Sequence, residues 1–187
     1  YALVPYLLVY KSADALATIT DYSSAAQDGA LGTDVVLSSL DTLANGDSLW
    51  LGSELPFRGV LADVDAANAT ASVLSGHYWN GSALSALSVT DGTDAAGATF
   101  GVDGAITWTM PTDWIKTTLA RAGSAAQAVN ASGANLYWVR LTVSVALDSS
   151  STLNSLMAMS RSTAYGEAVS GRVIEMTINR GVSGVAG

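Results

Sequence analysis

The chain contains no cysteine, one histidine (His77) and three glutamates (Glu54, Glu167 and Glu175). Without thiols it has neither a disulfide framework nor a thiolate metal site, so its stability has to come from packing or from neighbours. A single histidine excludes metal centres built on His or Cys clusters. A Ser-His-Asp arrangement would have to use His77, yet no Gly-x-Ser-x-Gly turn is there to present a nucleophile. Glycoside hydrolysis needs two carboxyl groups in environments that push their pKa values apart, and nothing pairs the three glutamates with each other or with an aspartate. The expectation is a protein without catalytic or cofactor-binding residues, and not an enzyme.

Charge is scarce as well. Only 13% of the residues are charged, and the eight Lys and Arg are scattered through a chain of net charge −8. No basic patch exists to neutralise phosphates, which argues against nucleic acid as a partner. The longest apolar run, Tyr1 to Tyr10, is too short to span a bilayer and lacks the basic flank and cleavage pattern of a signal peptide. Membrane association is therefore not expected. A surface with so few charges is covered by Ser, Thr, Asn, Gly and Ala, which suits faces that meet neighbours, because few charges would have to be desolvated on assembly.

What is present is strand texture. The 187 residues suffice for one sizeable core. Residues 1 to 46 read as an N-terminal strand or arm with an Ala/Ser-rich lead-in, 47 to 150 as the central module, and 151 to 187 as C-terminal strands with a loose tail. In the first segment Pro5 cannot donate a ladder bond and points to an edge position. That strand either opens the chain's own sheet or reaches across to a neighbouring subunit's edge. The candidate assembly residues are Tyr1, Leu3, Val4, Tyr6, Leu8 and Tyr10. A short helix is expected around 34 to 44. Strands are expected over 58 to 65, 71 to 79, 84 to 89 and 105 to 110, with Asn80-Gly81 as a type I′ hairpin turn. Thr112 could cap one helical turn after Pro111. The stretch 120 to 134 reads as an exposed loop.

Leu136 to Leu147 is the clearest strand: Tyr137, Val139, Leu141, Val143 and Val145 share one face, and Trp138, Arg140, Thr142 and Ser144 the other. Two more strands are expected over 153 to 159 and 172 to 180. Seven or more short strands without a long helical pattern indicate an all-β protein, a sandwich or barrel. Trp79, Trp108, Trp114 and Trp138 each offer on the order of 150 to 250 Å² of burial and are the expected anchors of a core between sheets. Arg140, in mid-strand, needs a partner for its charge, and Asp113 is the candidate.

The succession Tyr78-Trp79-Asn80-Gly81, then Gly104-Ala105-Ile106-Thr107-Trp108-Thr109-Met110-Pro111-Thr112-Asp113-Trp114, then Tyr137-Trp138-Val139-Arg140 resembles a module of tailed-phage virion proteins and of baseplate components of contractile injection systems. Gly52-Ser53-x-x-Pro56-Phe57-x-Gly59 is similar to its lead-in strand, and the resemblance covers roughly residues 47 to 147. The family often carries a Trp four residues after the hairpin Gly, where this chain has Ser85 beside Leu84. The resemblance implies a jelly-roll-like antiparallel β-sandwich and a structural role in a bacteriophage virion. It points to the particle surface as location, with other virion proteins (the major capsid protein or tail subunits) and further copies of the chain as partners. Capsid decoration is the leading expectation, a tail, baseplate or filament subunit joined by strand exchange the second, and a carbohydrate-binding module the rival from another class. No cofactor is expected; Asp63-Val64-Asp65 and Asp91-Gly92-Thr93-Asp94 offer oxygens of the kind calcium takes, without completing a binding loop. Sequons stand at Asn68, Asn80 and Asn130.

Overall fold

The computed structural model describes residues 6–38, 40–124 and 133–159. Two antiparallel sheets pack face to face, an all-β sandwich. The six-stranded sheet runs β2 (Thr18–Asp21), β1 (Leu7–Ala13), β4 (Ser48–Ser53), β10 (Tyr137–Val143), β6 (Leu74–Trp79), β7 (Leu84–Leu87). The five-stranded sheet runs β3 (Val35–Val36), β11 (Thr152–Ala158), β5 (Gly59–Ala66), β9 (Gly104–Trp108), β8 (Val89–Asp91). Two single-turn helices, α1 (Ala25–Asp28) and α2 (Leu119–Ala122), lie outside the sheets. The strand expected over 172 to 180 falls outside the described residues.

Alternation explains the interior. Leu7 and Val9 of β1, Leu49 and Leu51 of β4, and Val139 and Leu141 of β10 meet Val60 of β5, Ile106 of β9, and Leu153 and Leu156 of β11 in one core. Each such side chain contributes about 1.5–3 kcal/mol relative to an exposed position. Phe57 sits at one end, its ring centroid 5.3 Å from Trp108 and 5.4 Å from Trp114.

Several expectations are corrected by long-range pairing. From Tyr10 onward the first strand is not at an edge: β1 there lies between β2 and β4, with Tyr10 opposite both Asp21 and Trp50, while Leu7 and Leu8 have a strand partner only in β4 and Pro5 lies outside the described residues. Among the described residues around 34 to 44 no α-helix forms, because Val35-Val36 pairs with Thr152 and Leu153, and a 3₁₀ turn follows at Leu43–Asn45. The expected strand 84 to 89 divides between the sheets, β7 ending at Leu87 and β8 starting at Val89. Gly76 allows this crossing, since a Cβ there would fall 2.5 Å from Cγ2 of Val89. The strand β10 stops at Val143, and Val145 is exposed. The chain at Thr112 makes a turn rather than a helix. At the start of the expected 120 to 134 loop, residues 120 to 122 instead close α2, capped by Thr118, whose hydroxyl accepts the Arg121 N–H; residues 125 to 132 lie outside the described residues. The 80–83 turn is not type I′, since Gly81 has positive φ and Asn80 does not. Instead the Asn80 side-chain oxygen accepts N–H bonds from Ser82 and Ala83.

Candidate functional site

The four tryptophans expected between the sheets divide into two groups. Trp108 and Trp114 belong to the inter-sheet core, where Trp108 donates its indole N–H to the Phe57 carbonyl at 3.0 Å. Trp79 and Trp138 point the other way, onto the outer face of the six-stranded sheet. There they join Tyr10, Trp50, Leu16, Leu119, Ala122 and Leu136 in a second, smaller core. The expectation that all four anchor the space between sheets is corrected for these two. Strand alternation had already placed Trp138 opposite Val139; what it could not show was the cover that α2 and the β1–β2 turn supply. That turn holds Asp14, Ala15 and Leu16 at positive φ. The Ser12 hydroxyl accepts the Leu16 N–H at 2.9 Å, and Leu16 is thereby tucked into the second core. Trp138 donates to the Thr117 carbonyl at 2.9 Å and its ring stacks on Tyr10, centroids 6.0 Å apart.

Arg140 does not pair with Asp113. The Asp113 carboxylate instead accepts the Tyr78 hydroxyl at 2.9 Å, and that bond, with the carboxylate's charge, raises the Tyr78 pKa. Tyr78 faces inward on β6 whereas Arg140 faces outward on β10, so Asp113 and Arg140 lie on opposite sides of one sheet. Across the outer face the register sets Tyr10, Trp50, Arg140 and His77 in one row over four strands. The guanidinium lies 5.9 Å from the Trp50 ring centroid. Burial pushes the Arg140 pKa down; burial and then the Arg140 charge push that of His77 down. Among the described residues, Trp50 Nε1, His77 Nδ1 and Arg140 Nε have no hydrogen-bond partner. Close by, Arg121 of α2 stands over the Trp79 ring, 5.7 Å from its centroid. This face therefore carries three basic side chains, none with a carboxylate partner among the described residues, where Lys116–Glu54 is the only ion pair.

The candidate assembly residues are dispersed. Tyr10 is buried at 3% and cannot serve a subunit contact without opening the second core; Leu8 is half-buried beside it; Tyr6 is 61% exposed. Tyr1, Leu3 and Val4 lie outside the described residues. No group of three potential metal ligands occurs among the described residues. The aspartates considered for calcium are spent on turns and cross-strand bonds: Asp91 accepts the N–H and hydroxyl of Thr93, Asp94 the Gly97 N–H, and Asp65 the Thr152 hydroxyl. Glu54 pairs with Lys116, and Glu167 and Glu175 lie outside the described residues.

Sequence reasoning missed one polar anchor. Asn68, 2% exposed, donates its amide to the carbonyls of Thr70 and Thr99 and accepts the N–H groups of Thr70 and Asp148. Its sequon is thus closed to a glycan in the folded protein. Asp148 in turn accepts the Ala69 N–H and bonds from Ser150 and Ser151. The signal lay in Asn68 and Asp148 as loop residues, but their pairing spans 80 positions and has no local signature. Compared with known protein families, curated proteins and solved structures, the chain matches none.

Proposed function

We propose that this chain is a structural protein of a phage virion, a head-decoration subunit that stabilises the particle through contacts with its neighbours. One observation carries the choice of a scaffold over a sugar-binding module: all five indoles are buried, with exposures of 1% for Trp50, 6% for Trp79 and Trp108, 7% for Trp114 and 0% for Trp138. A sugar platform needs an aromatic ring open to solvent, and these rings are spent on cohesion. The module resemblance supports the virion assignment. The low charge of the exterior fits a protein whose surfaces are lost to neighbours.

The deciding experiment is particle-level imaging with the chain tagged. Density for the tag on the head lattice is the expected result. A tag on the tail tube or baseplate would move the protein to the tail, and particles free of the chain would end the virion reading. Binding to a glycan array that is lost on substituting one aromatic residue, with folding intact, would replace it by the carbohydrate-binding alternative.

A further inference from the structure

The two outer faces of the sandwich differ in charge. The strands of the five-stranded sheet contain no Lys or Arg, and β5 carries Asp63 and Asp65. On its outer side Leu61 of β5 stands opposite Met157 of β11, and these two apolar side chains are 46% and 43% exposed. Asp63 and Asp65, two and four residues further along β5, share that side and are also exposed. Their described side-chain partners are neutral: the Asn154 amide at 3.4 Å from Asp63 and the Thr152 hydroxyl at 3.0 Å from Asp65. The outer face of the six-stranded sheet bears Arg140 and the exposed Arg121, with Asp21 as the one strand carboxylate on that side, at the β2 edge opposite Tyr10.

Asp63 and Asp65 of one face complement Arg121 and Arg140 of the other, whereas each of these pairs repels its own copy. A twofold contact would set like against like, whereas a head-to-tail contact sets the aspartates of one copy against the arginines of the next and takes Leu61 and Met157 out of water. We propose that the partner of the five-stranded face is a second copy of this chain, which docks through its Arg121–Arg140 face so that copies stack head to tail. This deepens the assembly reading above and rests on it, because the stack is how subunits would hold one another on a particle.

The test uses the full chain in sedimentation and light-scattering measurements at about 0.05 M and about 0.5 M salt, where screening lengths differ severalfold. The wild type is expected to grow in mass with concentration at low salt and to shrink at high salt. Leu61→Asp/Met157→Asp disables one face and Arg121→Glu the other, so each variant alone is expected to be monomeric. Mixed one to one, they should stop at a heterodimer, since each retains one working face. Asp63→Asn/Asp65→Asn leaves the apolar pair in place and should weaken association about tenfold at low salt, a check that does not depend on the apolar variant folding. A monomeric wild type, a mixture that stays monomeric, or dimers of either variant alone would overturn the stacking. If a monomeric chain still decorates particles, the stacking fails and the virion reading stands; if stacks form and no particle contains the chain, the reverse holds.

Discussion

The six-membered ring of Trp138 rests against the Cα of Gly52, its partner across the β4–β10 ladder, so closely that a Cβ on Gly52 would fall 2.5 Å from Cζ3 and 2.7 Å from Cη2. An aromatic ring covering a strand glycine shields backbone that would otherwise lack a side chain to pack. Gly52→Ala is expected to destabilise the protein by about 1–3 kcal/mol through overpacking. In a Trp138→Leu background the same substitution should cost much less. Equal costs in both backgrounds, read from denaturant titrations, would show that the ring is not what limits the site.

Arg140 and Asp113 should be energetically independent. A double-mutant cycle with Arg140→Met and Asp113→Ala is expected to give coupling within about 0.5 kcal/mol of zero, the scatter of unconnected sites. Arg140→Met itself should be neutral or slightly stabilising, because the half-buried cation gains a ring contact but no carboxylate to offset its desolvation. Coupling well above that scatter would reinstate the pair.

Asp148 shapes the acid limb of stability. The Asp148 pKa falls to about 2, chiefly because the backbone N–H groups of Ala69 and Ser150 donate to its carboxylate. Its folded pKa is depressed, so the contribution is complete above the unfolded value of about 4 and is lost as pH drops toward 2. Asp148→Asn should flatten the stability profile in that window.

His77 acts in a separate range. Its folded pKa is also depressed, so the unfolded chain takes up the proton first and stability declines as pH falls below about 6.5. Arg140→Met should raise the His77 pKa measured by NMR titration, since the guanidinium is one of the two causes of the shift. An unchanged value would leave burial as the sole cause.

Deletion of residues 1 to 11 separates a strand of the chain's own sheet from an exchanged arm. The deletion removes Leu7 and Val9 from the main core and Tyr10 from the second, and it leaves β4 as an unpaired edge. Loss of cooperative unfolding is the expected outcome, seen in thermal melts. A folded, monomeric truncation would instead mean that β1 is dispensable to its own sheet.

Alternation with period two, Asn, Asp, Gly and Pro at the turns, and the absence of long helical patterns are local properties, and they made the all-β class and the strands around Val60, Tyr78, Ile106 and Val139 legible from the chain alone. The neighbours of each strand were not legible, because ladder pairing joins residues far apart: β1 became interior by pairing with β4, and β11 entered between β3 and β5. Trp138 shows the division most clearly. Its side of β10 followed from the alternation, but its complete burial depends on Leu16 and Leu119, brought over the sheet by a turn and a short helix from distant parts of the chain. Arg140 stands on that same side and Asp113 on the other, so no sequence spacing could have decided their pairing; the sheet between them did.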